Sequence, residues 1–443
     1  MRVQLIMADK DLKIGAALTA ATCSLLGIAA PTTAFAADPD AKWDVDSALL
    51  YYGESDSRVK DLSLGTHATR DFGDERKLGL DLTVDSLTGA SPNGAAASGG
   101  AQTFTSPSGR DVYSTPAGKV PLDDTFHDTR VALNAGWSQP FARLYTVSAG
   151  LGFSNEYDYQ HLGANVGLTR DFNERNTTLS TALAYGQDTV KPVGGIRTPF
   201  SLMGDVTGDG DDGGGSVHKN VLDALLGITQ VLGRHSVLRL NYSYSDSSGY
   251  LTDPYKLLSV VDPVTGELVA RTPGGAPGAT GLYRYENRPD SRRKQAVYAE
   301  LRQDFSGKVL QIGYRYSTDD WEVDSHTLES RLRWPLGETS YLEPHVRYYT
   351  QTAASFYRYS LASGEPLPEF ASADARLADL DAYTLGIKFG HVAPSGNEWS
   401  ARLEFYQQKS KPPAETLIGT QIGHAQMPDF NAVILQFGYR FKL

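Results

Sequence analysis

The fold class predicted for this chain of 443 residues is all-β: a transmembrane antiparallel β-barrel of about sixteen strands, with long extracellular loops and short periplasmic turns. Three observations predict it. Apolar and polar residues alternate in stretch after stretch from Trp43 onward, the two-residue period of strands with one apolar and one polar face. Every second connection between these stretches is short and the intervening ones can be long, the asymmetry of outer-membrane barrels. Residues 433–443 keep an apolar face through Val433, Leu435, Phe437, Tyr439, Phe441 and Leu443, for which lipid is the expected cover.

Composition agrees with this class. Mean hydropathy is -0.33, and residues 37–443 hold no apolar run of about eighteen, so a transmembrane helix is not expected. A barrel averages a lipid face with a polar lumen and is expected to look this hydrophilic. The 44 Gly, 24 Tyr and 16 Phe fit many tightly turned strands with aromatic rims. A formal net charge of -11 argues against a nucleic-acid partner.

Residues 1–36 read as a cleaved secretory signal, leaving 37–443 as the barrel. Lys10 and Lys13 precede the apolar stretch 14–30, and Ala34-Phe35-Ala36 supplies small residues for cleavage. The single cysteine, Cys23, lies inside the signal, so the mature chain is expected to have no disulfide, covalent c-type haem or cysteine-ligated cluster.

In chain order the expected strands are 43–54, 58–70 and 77–86, then a long loop 87–125 rich in Gly, Ser and Pro. Strands 129–138, 144–154, 157–170 and 177–187 follow, and a second long loop ends near Ser216. Strands 218–232 and 237–246 precede the longest loop, 247–292. The remainder are 293–304, 309–317, 322–334, 341–351, 381–391, 398–408 and the terminal stretch. Fourteen strands is the competing count, because the segments starting at Arg58 and Glu322 alternate less cleanly. A soluble propeller would show a fixed repeat, and none is visible.

The residues between the apolar ones are expected to face the lumen. From strand nine onward they include Arg239, Arg302, Arg315, Arg331, Arg333, Arg347, Lys388, Arg402, Arg440 and Lys442, against Glu300, Glu329, Glu343 and Glu404. Earlier strands contribute Asp81, Asp85 and Asp223. A basic wall facing a mildly acidic one would favour anions or zwitterions in transit; the alternative is internal salt bridges that brace the wall.

Other stretches bear on chemistry. Asp205, Thr207, Asp209 and Asp211 resemble the first half of an EF-hand calcium loop, with Gly210 at the sharp turn. Ser216 stands where the bidentate Glu is needed, which makes a weak Ca2+ candidate in loop 205–216; no other cofactor is expected. Ser325, His326, Asp319 and Asp320 cluster near one outer loop without a nucleophile motif, so no enzyme activity is expected. Tyr250, Asp253 and Tyr255 at one end of the longest loop, and Tyr285, Arg288 and Arg292 at the other, could form a binding surface, an infolded constriction or a self-packed closure. Gln436, Gly438, Phe441 and Leu443 resemble the signal read by the barrel assembly machinery, with Leu443 in place of the final aromatic.

The segments 85–95, 249–256 and 283–292, with Ser47-Ala48-Leu49-Leu50-Tyr51-Tyr52 and the Asp71-Phe72-Gly73-Asp74 turn, resemble the bacterial outer-membrane family of domain of unknown function 3570. The resemblance spans essentially the whole mature chain and implies a barrel. It offers no catalytic residues. Its members tend to be encoded near a flavin transferase and thioredoxin-like proteins, which implies envelope redox proteins as partners. Two functions are expected to compete: a channel or transporter for a polar, anionic solute, and a closed barrel that scaffolds a redox partner.

Overall fold

The computed structural model describes residues 43–55, 58–73, 75–106, 111–203, 215–271, 281–411, 417–424 and 429–443. The expected signal segment and calcium-loop ligands Asp205, Thr207, Asp209 and Asp211 lie outside these residues. The strands in chain order are β1 (Asp44–Glu54), β2 (Val59–Asp71), β3 (Lys77–Pro92), β4 (Gln102–Thr105), β5 (Val112–Thr115), β6 (Leu122–Ala142) and β7 (Tyr145–Asn155). Next come β8 (Tyr159–Phe172), β9 (Thr177–Val190), β10 (Val217–Gly233), β11 (Ser236–Gly249), β12 (Leu257–Val261), β13 (Tyr283–Tyr285) and β14 (Ser291–Phe305). The last are β15 (Lys308–Asp319), β16 (Ser325–Leu336), β17 (Ser340–Gln351), β18 (Leu361–Ala362), β19 (Asp379–Val392), β20 (Glu398–Lys411) and β21 (Phe430–Lys442).

Sixteen of these strands close a barrel, in the order β1-β2-β3-β6-β7-β8-β9-β10-β11-β14-β15-β16-β17-β19-β20-β21. The circle is sealed where β21 pairs with β1, from Asp44 opposite Lys442 to Glu54 opposite Ala432. Closure removes the free edges that lipid cannot satisfy. Both segments that alternate less cleanly are wall strands, so the count is sixteen and not fourteen. The strand expected from Glu322 begins three residues later. Asp319 Oδ1 accepts the backbone N–H groups of Trp321 and Val323, and Glu322 takes a φ of 65°, so this stretch is a turn.

The outward faces are apolar. Leu151, Leu162, Leu385 and Phe437 are each at least 60% exposed, a surface that only a bilayer would cover. Aromatic belts edge it at both ends: Tyr51, Tyr185, Tyr242, Tyr314, Tyr348 and Tyr383 near the long loops, and Phe72, Phe141, Phe305, Trp334, Trp399 and Tyr439 near the short turns. Cations at the periplasmic belt stack on its rings, with Arg70 4.9 Å from Phe72, Arg170 4.3 Å from Phe172 and Lys308 4.2 Å from Trp334.

β3 and β6 run well past the expected strand ends and reach Pro92 and Leu122, with a register shift between Gly89 and Ser91. Above them the loops fold together instead of standing apart. β12 pairs with β13 and, in parallel, with β18, while β4 and β5 make a hairpin. Ala95, Phe104, Tyr113, Met203, Leu257 and Tyr283 form one buried cluster; Phe200, Leu258, Val260, Leu361, Ala371 and Ala373 form another. Each draws on different loops, so these loops share a core. Gly94 permits the first long loop to turn onto β12: its φ is +93°, and a Cβ there would stand 2.6 Å from the Leu257 carbonyl oxygen. The Ala97 N–H donates to Tyr359 Oη, joining a loop carried by β3 and β6 to one carried by β17 and β19 on the far side of the circle. That bond crosses the mouth, and the loops together form a cap.

Candidate functional site

The lumen wall follows from the alternation. With Leu240, Val297, Leu301, Tyr314, Leu328, Val346, Leu385 and Phe405 exposed outward, the residues between them face inward. These include Arg239, Arg302, Arg315, Arg331, Arg333, Arg347, Lys388 and Arg402. Half of them meet carboxylates. Arg302 Nε donates to Glu300 at 2.8 Å, Arg239 lies 3.9 Å from the same carboxylate, Arg331 2.6 Å from Glu329 and Arg402 3.8 Å from Glu404. Glu404 is also bonded to His345 at 2.9 Å.

The other four rest on tyrosine rings. Arg315 lies 5.5 Å from the Tyr298 centroid, Arg347 6.0 Å from Tyr349, and Arg333 and Lys388 lie 3.6 and 5.7 Å from Tyr341. Glu329 stands opposite Arg347 in the register but is engaged by Arg331 and, at 3.4 Å, by His345. Hydrogen bonds tether the rings: Tyr298 Oη donates to Glu300 at 2.7 Å, Tyr349 Oη to Gln351 at 2.7 Å and Tyr341 Oη to Glu398 at 2.5 Å. Among the described residues, none of these four cations has a carboxylate within ion-pair distance. The opposite wall is more nearly neutral: Asp85 bonds Arg130, Asp81 lies 2.8 Å from His67, and the fully buried Asp188 bonds His161 at 2.7 Å and Lys219 at 3.2 Å.

The loop candidates divide. Tyr250, Asp253, Tyr255 and Arg288 converge on a small cleft, which wall residues Tyr159 and Lys219 and loop residues Asp158 and Arg376 also line. Tyr255 Oη donates to Asp158 and accepts the Val193 N–H at 2.9 Å. Tyr285 and Arg292 lie elsewhere. Arg197 stacks on Tyr285 at 4.9 Å, and Arg292 bonds Asp319 at 2.6 Å while lying 4.2 Å from the Trp321 ring.

Behind the cleft runs a buried ion network. Arg288 bonds Glu286 and Asp374, both at 2.6 Å, and Arg376 bonds Asp374 and, at 2.5 Å, Asp253. Lys256 Nζ donates to the Pro92 carbonyl at 2.5 Å, which ties the first long loop to the third. Burial would raise Asp374, but Arg376, Lys256 and Arg288 hold its carboxyl well below the usual range. Burial also opposes the Asp253 carboxylate, and Arg376 with Lys256 again keeps it low. For Glu286 burial wins over Arg288 and pushes the carboxyl up to about 7. Sequence reasoning missed Asp374 and Arg376, whose loop showed no period to place them; Lys256 and Glu286 sit inside the quoted segments 249–256 and 283–292.

Other expected groups separate. Ser325 is buried and bonds Ser317 at 2.6 Å, whereas His326 is exposed and bonds Tyr314 at 2.7 Å, so adjacent residues point to opposite faces. Asp128, Glu156 and Asp158 bring one carboxylate oxygen each within 4.8 Å of one another at the rim, where a cation could be held, although Tyr255 already engages Asp158. In the terminal strand Gln436 and Gly438 face inward and Phe441 and Leu443 outward, with Tyr439 and Phe441 stacked at 5.4 Å.

A family model described as "Protein of unknown function (DUF3570)" matches residues 15–441, and the chain belongs to that family. No curated protein matches it in sequence. Among solved structures, a ferric enterobactin receptor mutant from Pseudomonas aeruginosa aligns with 12% identity and a TM-score of 0.42, covering 84% of this chain and 54% of that one. The chain thus spans about half the length of that receptor. A bacterial polysaccharide outer membrane secretin aligns with 9% identity and a TM-score of 0.43, covering 90% and 98% of the two chains. The outer membrane protein opdK from Pseudomonas aeruginosa gives 11% identity and a TM-score of 0.37, with 91% and 99% covered.

Proposed function

We propose that this member of the DUF3570 family resides in the outer membrane and passes a small, polar, anionic solute through its lumen, with the cap as its gate. The observation that carries this reading is the set of four cations, Arg315, Arg333, Arg347 and Lys388, which lie over tyrosine rings with no carboxylate of the described residues within ion-pair distance. Braced salt bridges would leave such a wall neutral. An unneutralised one attracts anions in a confined, low-dielectric space, where a few charges set selectivity. The terminal residues Gln436, Gly438, Phe441 and Leu443 would hand the chain to the assembly machinery.

Reversal potential in a planar bilayer, measured across a salt gradient with the refolded full-length protein, tests this. Wild-type openings are expected to favour anions, and Arg333→Glu with Lys388→Glu to reverse the preference. Openings with equal preference in both proteins would sink the reading. The cap's own core and its bonds across the mouth favour a second reading, a closed scaffold for an envelope redox protein. Under that reading the protein stays silent even when the cap is loosened.

A further inference from the structure

Two like charges face each other on the lumen wall. Lys388 of β19 and Arg402 of β20 are direct partners in the antiparallel register, and both point inward. Direct partners stand with their Cβ atoms about 4.5–5.5 Å apart, and like charges placed so destabilise a sheet. On its other side Lys388 is the register partner of Glu343, yet no carboxylate of the described residues lies within ion-pair distance of it, and its ammonium stands 5.7 Å from the Tyr341 ring centroid. Arg333 of β16 lies over that same ring.

The ring is fixed from two directions. Tyr341 is the direct partner of Gly390 and lies flat on it: a Cβ at Gly390 would stand 2.2 Å from the ring. Its hydroxyl is tied to Glu398. Arg333 and Lys388 therefore converge on one immobile platform, with Arg402 beside them. Glu404 lies 3.8 Å from Arg402, but His345 draws on the same oxygen at 2.9 Å. Glu343 and Glu398 are the nearby carboxylates, with Asp46 beyond them, and among the described residues none of these lies within ion-pair distance of Arg333, Lys388 or Arg402.

We propose that Arg333, Lys388 and Arg402 form a subsite for a doubly charged oxyanion, with inorganic phosphate as its simplest ligand. The proposal rests on the reading of the lumen as an anion path and names the ligand chemistry of that path. A dianion would supply the direct ion pairs that Arg333 and Lys388 lack among the described residues. The two guanidinium forks offer paired N–H donors to separate oxygens, and the ammonium adds a point charge between them. Chloride has one atom and cannot use the forks.

Calorimetric titration of the refolded full-length protein with inorganic phosphate, at constant ionic strength set with chloride, tests this. Saturable binding is expected, roughly tenfold weaker in Arg333→Gln and in Lys388→Gln and unchanged in Arg239→Gln, whose partner is Glu300. Thermal denaturation supplies a second readout. Phosphate is expected to raise the melting temperature of wild type and not of Lys388→Gln, and Lys388→Gln without phosphate is expected to melt no lower than wild type because a repulsion has been removed. Absence of saturable binding in wild type, or equal binding in all variants, would overturn the subsite. A protein that conducts anions without binding phosphate loses the subsite alone. One that binds phosphate and never conducts loses the passage reading alone.

Discussion

Glu286 sits within the cap's ion network, 2.6 Å from Arg288, and keeps its proton to about pH 7 because burial penalises its charge. The unfolded chain releases that proton near the ordinary glutamate value of 4.5. The folded cap therefore binds more protons between those values, and this group's contribution is full below the lower value and lost as pH rises through the upper one. Asp253 and Asp374 act oppositely: their carboxyls are held low, so their contribution is present above the ordinary carboxylate range and lost as pH falls through their depressed values. The cap is expected to be tightest in mildly acidic solution, and the protection factors of residues 253–261, corrected for the base-catalysed intrinsic exchange rate, should be larger near about pH 5.5 than near about pH 8. Smaller protection factors at the acidic value would contradict this. At this scale the sequence revealed which way a side chain points, because alternation sets the face. It did not reveal partners. Glu300 serves Arg239 across a strand pair and Arg302 two residues along its own, and nothing in the spacing chooses between cross-strand and same-strand pairing.

The wall strands were legible because each has one apolar and one polar face. β12 was not: Leu257, Leu258, Ser259, Val260 and Val261 are all buried, so the run has no period to read. β4, β5, β13 and β18 are two to four residues long and sit in stretches whose composition reads as loop. Their pairing depends on segments brought from other loops, which local sequence does not encode. Leu258 is fully buried in the cap core and touches no lipid. Leu258→Ala is expected to cost roughly 2–5 kcal/mol, all of it in the cap. Limited proteolysis should then cut the loops faster while the wall keeps its strand signal in circular dichroism; parallel loss of both would show that cap and wall fold as one unit. The inward-facing strands share a smaller device. Tyr52, Tyr298, Tyr349 and Tyr406 each donate to a Glu or Gln two residues on, holding the ring along the wall.

Across the whole molecule the wall and the cap are held by different forces. Ladder hydrogen bonds and lipid hold the wall, whereas the cap relies on small apolar clusters and one buried network. Removing one partner of a buried ion pair costs about 3–5 kcal/mol, because the remaining charge loses its compensation. Arg288→Ala leaves Asp374 with Arg376 and Lys256 alone and takes from Glu286 the partner of its ionised form, so the cost is expected below that figure under mildly acidic conditions and to grow above about pH 7. It is expected to loosen the cap without opening the wall, raising open-channel probability in bilayers while the heat-modifiable migration of the folded barrel is retained. An unchanged open probability with a demonstrably loosened cap would favour the scaffold. The division also explains what the sequence withheld about the candidate site: the basic wall could be read strand by strand, but the cap is built from contacts between loops far apart in the chain.

The seam between β1 and β21 sets a clock on assembly. Asp44 pairs with Lys442, a contact between residues at opposite ends of the wall sequence. Local pairings along the circle can form early, but each partial sheet keeps two raw edges until that final strand docks. Such a topology places its decisive step last and gives the chain a high contact order, with slow closure and long exposure of sticky intermediates. The seam therefore makes closure of the circle a single late event, whatever order the neighbouring strands pair in before it.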